Sequence, residues 1–356
     1  MRVFTSTLCT IAALTTNNLL AQTEVRRYNA TPDNNYGVLY QLPKTEVEVT
    51  ATIRETTYTP GLFAPWAELY LSQAPELQPS THYEIVHTDI RPIGVPDLGK
   101  QYLVSFDKKT IAPFVSLTNN GIIYGINTSQ QPTNQVDLPI YTDTIPSRVL
   151  PSLPKEYSLA TSQHKQAEIL SNYLYEIRES LLGIITGSAE YLPKDGESMR
   201  LILEQLRGEE RKALTLFLGD TTIRYNTYSW RIIPELEDMN ARELSRFAPE
   251  LGIIEEGNEG IPLLFDLTIE QRHDQLSEKE QKRLDKLEGV VYNVPGVGTA
   301  RVRLGDKQTL ATARIPLPQV GTVQALTKRM FNLSDGRSTA VYFDTTTGEV
   351  RSILNE

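Results

Sequence analysis

The sequence predicts an α+β protein that is mainly β: two sandwich-like β-sheet domains with an antiparallel helix pair between them. Three observations carry this reading. Apolar and polar residues alternate with a period of two near residue 50 and again over much of the chain after residue 220. Between these stretches, apolar residues recur at intervals of three and four, the stripe of an amphipathic helix. Residues 128–160 hold Pro132, Pro139, Pro146, Pro151 and Pro154, a density that opposes regular structure.

The N-terminal β domain is expected over 36–127. Thr45 to Arg54 alternates as a strand with one buried face, and Pro60-Gly61 ends it with a turn. Leu62 to Leu71 reads as a short helix with Trp66, Leu69 and Tyr70 sharing a face. Tyr83–Val86, Tyr102–Phe106 and Gly121–Ile126 are short, β-prone and bounded by turn residues. Asn119-Asn120-Gly121 carries a turn signal. Residues 128–160 then read as an extended crossing segment.

The helix pair is expected over 161–219. In its first helix, Ala167, Leu170, Leu174, Ile177, Leu181 and Ile184 form the apolar stripe, with Thr161 or Ser162 as cap. In its second, from Glu197 to Leu218, the stripe is Met199, Leu203, Leu206, Leu214 and Phe217. Gly208 weakens its middle, and Gly219 is placed to stop it. Pro193-Lys194-Asp195-Gly196 links the two.

The C-terminal β domain is expected over 220–356. Strands are predicted at Thr221–Ile233, Ile261–Ile269, Gly289–Val294, Thr299–Leu304, Thr309–Ile315, Val320–Ala325, Thr339–Phe343 and Glu349–Leu354. Asp344 to Gly348 forms the hairpin turn before the last strand. A charged helical insertion interrupts them at 277–288, opened by a capping box of Ser277 with Glu280.

Residues 1–21 read as a secretory signal peptide: Arg2, an apolar-leaning stretch from Val3 to Leu14, then Ala21 before Gln22. Residues 22–35 are a polar, flexible lead-in. Cleavage after Ala21 removes Cys9, the only cysteine, so a mature chain holds no disulfide, thiolate metal site or cysteine nucleophile. It also removes Arg2, the one charged residue of the segment, and the net charge moves from −9 to −10. That acidity opposes nucleic-acid binding, which needs clustered Lys and Arg. No stretch of the mature chain is apolar and long enough for a transmembrane helix.

Chemistry-bearing motifs are sparse. His82 and His87 with Glu84 and Asp89 form the densest set of metal-ligand types. On a regular strand His82, Glu84 and Val86 share one face and His87 takes the other, so no metal site is expected. Gly296-Val297-Gly298 lacks the third glycine of a dinucleotide loop and reads as a hairpin turn. Glu209-Glu210 and Glu255-Glu256 read as solvated surface, because adjacent carboxylates point in different directions. Trp66 and Trp230 are the ligand-binding candidates, as sugar-stacking rings. No catalytic residue and no cofactor is indicated.

Tyr36 to Thr45, Val47-Glu48-Val49 and Thr57 to Ala64 resemble an uncharacterised family of exported Bacteroidetes proteins, domain of unknown function 4831. Gly208 to Phe217, Ala313 to Gly321 and Phe343 to Val350 fit the same resemblance, which spans roughly 36–354. It implies an exported envelope protein, in the periplasm or at the outer membrane, with no assigned activity and no catalytic residues to carry over. The leading expectation is a non-enzymatic binding or assembly module with an envelope protein or glycan as partner. The alternatives are a glycan- or peptide-acting hydrolase with dispersed carboxylates, and a carbohydrate-binding protein.

Overall fold

A computed structural model describes residues 37–105, 115–128, 139–146, 149–189, 196–255, 257–274, 277–280, 289–327 and 339–355. The signal segment, the lead-in, the Pro193–Asp195 link and most of the charged insertion lie outside the described residues. At the insertion's start, the expected capping box is present. The Ser277 amide donates to Glu280 Oε2 at 2.9 Å, and the Glu280 amide donates back to Ser277 Oγ at 3.4 Å.

The protein is mainly β, built on three antiparallel sheets with few helices. Strands β1 (Gly37–Thr59) and β2 (Ser80–Ser105) form one long hairpin, with β5 (Asp220–Ile232) on the other side of β1. Strands β9 (Gly289–Leu304) and β10 (Gln308–Thr327) form a second. It continues into β8 (Ile261–Gln271), β6 (Met239–Ala248) and β7 (Gly252–Ile254). The third sheet orders β12 (Val350–Asn355), β11 (Thr339–Phe343), β4 (Ile123–Ile126) and β3 (Val115–Leu117). Pairing thus joins the two β segments of the sequence: β1 pairs with β5, and β4 with β11.

Two cores result, and the long strands serve both. In the first, Val47, Val49, Ile90 and Ile232 of the three-stranded sheet face Leu263, Phe265, Leu267, Ala300, Val302, Ile315 and Leu317. In the second, Tyr40 and Leu42 of β1, Val290 and Val291 of β9, and Val323 and Leu326 of β10 meet Ile123, Ile126, Val341 and Phe343. The sequence reading broke these strands at Pro295-Gly296 and at Pro316 to Pro318. The structure runs through both breaks. Gly296-Val297-Gly298 is therefore not a hairpin turn. It lies inside β9, where a Cβ on Gly296 would sit 2.5 Å from the Gln271 carbonyl oxygen, so only glycine allows the approach.

The passage between the cores is where the ladder fails. Register slips between Gln41 and Pro43 in the first hairpin and between Leu317 and Thr322 in the second. Proline has no amide hydrogen, so side chains complete the bonding. Asn293, fully buried, donates through Nδ2 to the Pro43 and Thr347 carbonyls, both at 2.8 Å. Gln319 accepts from the Thr45 amide at 3.1 Å and donates to the Thr45 carbonyl at 2.8 Å. Thr45 Oγ1 donates to the Pro316 carbonyl at 2.9 Å. The Tyr40 hydroxyl donates to the Val291 carbonyl and accepts from its amide, and burial pushes that phenol far above its ordinary range.

The helices sit at the other end of β1. A 3-10 turn (Ala64–Trp66) leads into α1 (Ala67–Leu71). Its buried face is Phe63, Ala67 and Leu71, spaced by four, whereas Leu69 of the predicted face is 68% exposed. These residues pack with Ala167, Leu170 and Leu174 of α3 (Gln163–Thr186) and Ala213 and Phe217 of α4 (Gly196–Leu218). Ser162 caps α3 by accepting from the Lys165 amide at 3.2 Å. A further short helix, α2 (Lys155–Leu159), lies in the proline-dense segment. Pro154 takes its N-cap, so no helical bond is lost.

Strand β6 is not legible in the sequence pattern, because its apolar period is broken by two register irregularities, at Met239/Arg242 and Glu243/Ser245. Ala241, inside the first, has φ 52°, in the left-handed region. Its amide donates to Asp266 Oδ1 at 2.7 Å, and Arg303 Nε binds Asp266 Oδ2 at 2.5 Å. Burial pushes the Asp266 carboxyl up, but the Arg303 and Ala241 donors outweigh it and hold it below the usual carboxylate value.

Two outcomes test this frame. Asn293→Ala strands two buried carbonyls and lowers stability by about 2–4 kcal/mol, read as a drop in urea midpoint at unchanged slope. The lowered Asp266 pKa contributes stability above the unfolded value of about 3.9, lost as pH falls through the folded one. Asp266→Asn therefore costs about 1–3 kcal/mol at pH 7, and its gap from wild type narrows below pH ~4 in urea titrations across pH.

Candidate functional site on the outer face of the three-stranded sheet

Alternation gives the three-stranded sheet two unlike faces. Val47, Val49, Ala51 and Ile53 of β1 are buried. Glu48, Thr50, Thr52, Arg54 and Thr56 therefore take the opposite face. Register sets their neighbours. From one end the rungs read Arg91–Glu48–Arg231, Asp89–Thr50–Ser229, His87–Thr52–Thr227, Glu84–Arg54–Tyr225 and His82–Thr56–Ile223.

This arrangement corrects the sequence reading of the histidines. A bulge at Val86 shifts the pairing from Ile53↔Ile85 to Thr52↔His87. It returns His87 to the face that carries His82 and Glu84. The two histidines remain two rungs apart, about 13 Å along the strand. Among the described residues, no group of three or more His, Cys, Asp or Glu could hold a metal ion.

The face is nearly neutral and rich in hydrogen-bonding groups. Arg54 pairs with Glu84, Arg91 Nε lies 2.9 Å from Asp89 Oδ2, and Arg231 Nε lies 3.6 Å from Glu48 Oε1. With each acid matched to an arginine and Thr50 and Thr52 buried at the centre, the His82 and His87 rings and the Thr56, Thr227 and Ser229 hydroxyls remain to contact a ligand. The Thr52 and Thr227 hydroxyls share a bond of 3.1 Å. One corner is walled. The Tyr141 ring stacks on Tyr225 with centroids 4.9 Å apart, and Thr144 pairs with Ile223 through two backbone bonds of 2.8 Å. Such a surface suits a polar, extended partner better than a small apolar ligand.

The candidate tryptophans lie apart from this face and from each other. Trp66 packs partly on the helix core, edge-on to His164 with centroids 6.3 Å apart. The Tyr70 hydroxyl lies 3.2 Å from His164 Nε2 beside it. Trp230 is on the inner side of β5, against both the first core and the Ala51, Ile53 and Phe247 cluster, with its ring near Tyr228. Glu209 and Glu210 are not free surface acids. Glu209 takes the Lys212 ammonium and the Ser152 amide, which together hold it below the usual carboxylate value, and Glu210 takes Arg178 at 2.8 Å. Glu255 is exposed, and Glu256 lies outside the described residues. A shallow concavity of about 650 Å³ runs along α4 between Arg200 and Arg211, with its acids Glu204 and Glu210 paired to arginines.

Sequence reasoning missed the face because its rungs join the β1–β2 hairpin to β5, more than 100 residues further along the chain. The signal it had was the polar half of each alternating strand. The bulge carries no such signal.

Fold and face together define a mainly β protein with an open polar sheet surface. The domain of unknown function DUF4831 matches residues 36–351, and the chain belongs to this family. No curated protein and no solved structure matches it. Among the described residues, no helix is long and apolar enough to cross a membrane.

The His82 and Glu84 end of the polar face contributes little to stability, because the Arg54–Glu84 pair is solvent-exposed. Glu84→Gln and His82→Ala each shift unfolding free energy by less than about 1 kcal/mol in urea titrations, in contrast to Asn293→Ala.

Proposed function

We propose that this protein is an exported cell-envelope protein, as its resemblance to exported Bacteroidetes proteins implies, and acts as a non-enzymatic binding or assembly module. The outer face of the three-stranded sheet is its docking surface for an envelope protein. One observation carries the reading: five rungs, polar at every position but Ile223, line one face of that sheet, where a second apolar face would have added core. The partly buried carboxylates favour binding over hydrolysis. Glu48, Asp89, Glu209, Glu210 and Asp266 each sit with an Arg or Lys, which leaves none of them poised as a general acid. The hydroxyl and histidine groups of the same face also fit a glycan, which makes carbohydrate binding the second reading. Export rests on residues 1–21.

Crosslinking in intact cells, followed by purification from detergent-solubilised envelopes, tests the proposal. Wild type retrieves a partner protein, and the His82→Glu/His87→Glu variant loses it while keeping its fold. A protein that emerges alone overturns the assembly role, and glycan binding lost in the same variant establishes the second reading. N-terminal sequencing of the purified protein reads Gln22 first if the export segment is removed as proposed.

A further inference from the structure

The three-stranded sheet ends at β5, and among the described residues only half of that edge is paired. Ile223 exchanges both backbone bonds with Thr144, and the Tyr225 amide donates to Asp143 Oδ1 at 2.9 Å. Residues 223 and 225 therefore aim their backbone groups outward. By the same alternation, so do Thr227, Ser229 and Arg231. No described residue pairs with these three. Among the described residues, the segment that covers Ile223 makes no backbone pairing with β5 upstream of Asp143, and Ile140 is 94% exposed. The strand itself stops at Ile232. The open stretch is thus 226–232, and its midpoint is Ser229.

We infer that this stretch pairs with the same stretch of a second copy of the chain, antiparallel and centred on Ser229. The register is self-complementary. Ser229 opposes Ser229, Thr227 opposes Arg231, Tyr228 opposes Trp230 and Asn226 opposes Ile232. No like charges face each other. Opposed outward residues exchange both N–H···O bonds, and a two-fold axis satisfies both edges at once. Tyr228 and Trp230 are half-buried within one chain, with near-parallel rings 6.4 Å apart. Pairing brings the two aromatic sets together across the axis, the residue types that dominate interface energetics. The covered and uncovered parts of the edge also fit. The partner strand ends where the Asp143–Thr144 segment begins, so the two do not compete for the same bonds. The result is a six-stranded sheet whose polar faces run on from one copy to the other. This inference stands whether or not the face binds an envelope partner.

Sedimentation equilibrium on the full chain tests it. Wild type shows twice the monomer mass at micromolar concentration. Ser229→Pro removes one outward amide that makes no bond inside the chain, and an edge strand tolerates proline there. It yields a monomer with unchanged circular dichroism, whereas Ser229→Ala stays dimeric. Ser229→Cys in a Cys9→Ser background gives an independent reading. Opposed Cα atoms about 5.5 Å apart fall within disulfide reach, so a covalent dimer appears on a non-reducing gel. Thr221→Cys, exposed on the same strand outside the open stretch, gives none. A monomeric wild type, a folded Ser229→Pro that stays dimeric, or crosslinking at 221 but not at 229 overturns the inference.

Discussion

Two side-chain amides, Asn293 and Gln319, hold the place where both long hairpins lose their backbone ladder. Pro43 and Pro96 face each other across the first hairpin, and Pro316 and Pro318 lie at the slip in the second. Unrepaired, this passage would bury carbonyls with no donor, at a cost of about 1–3 kcal/mol each. The amides supply those donors, and Thr45 completes the set. The turn after β11 is locked to the same place. Asp344 Oδ1 accepts from the Thr346 and Thr347 amides, and the Asn293 amide reaches the Gly348 carbonyl. Gly94 leaves the room for this turn: a Cβ there would meet the Thr345 carbonyl oxygen at 2.1 Å. Both cores hang from this passage, because β1, β9 and β10 enter one core on each side of it.

The helix pair is attached by fewer but similar means. The Tyr58 hydroxyl, at the end of β1, donates to the Leu218 carbonyl at 2.8 Å and so caps the end of α4. The Phe63 amide donates to the Leu216 carbonyl at 2.7 Å. Glu209 fastens the crossing segment through the Ser152 amide at 2.5 Å. Burial concentrates at the β end of the pair. Ala213 and Phe217 of α4 are buried, whereas Leu201 and Ile202 near its start are exposed. The segments that carry the family resemblance meet at these two junctions. Residues 37–45, 313–321 and 343–350 converge on the passage between the cores, and 57–64 meets 208–217 at the helix attachment.

Most of the elements were legible in the sequence, and their joining was not. The α3 stripe from Ala167 to Leu181 is buried as its spacing requires, and Ser162 caps it. Strand β11 has the predicted bounds, and the Asp344 to Gly348 turn has its αL glycine at φ 74°. The two broken strands share one cause. Pro295, Gly296, Pro316 and Pro318 are local stop signals, and local rules cannot know that Asn293 and Gln319 will replace the missing ladder bonds. Strand β6 was invisible because bulges scramble its period. The outer sheet face was half legible. Its residues were visible as polar alternates, but the bulge at Val86 and the pairing with β5 decide which of them stand together.

That face is also where the fold leaves the sequence most freedom. Inside, each position is fixed by packing: Val47, Val49, Ala51 and Ile53 are all essentially inaccessible. On the outer side, the β-branched Thr50, Thr52 and Thr56 suit the strand by backbone preference, Thr50 and Thr52 buried beneath their neighbours and Thr52 bonded to Thr227. Their flanking ion pairs contribute at most about 1 kcal/mol each, and screening by salt reduces even that. Stability therefore does not account for a matched row of acids, arginines and histidines at these positions. A surface that the fold does not need, held flat by a sheet whose other side is locked into a core, can be tuned for a partner without endangering the rest. The same division explains why the hydrolase reading is the weaker one. Carboxylates that do touch the interior, such as Asp266, are committed to holding strained backbone and a neighbouring strand in place.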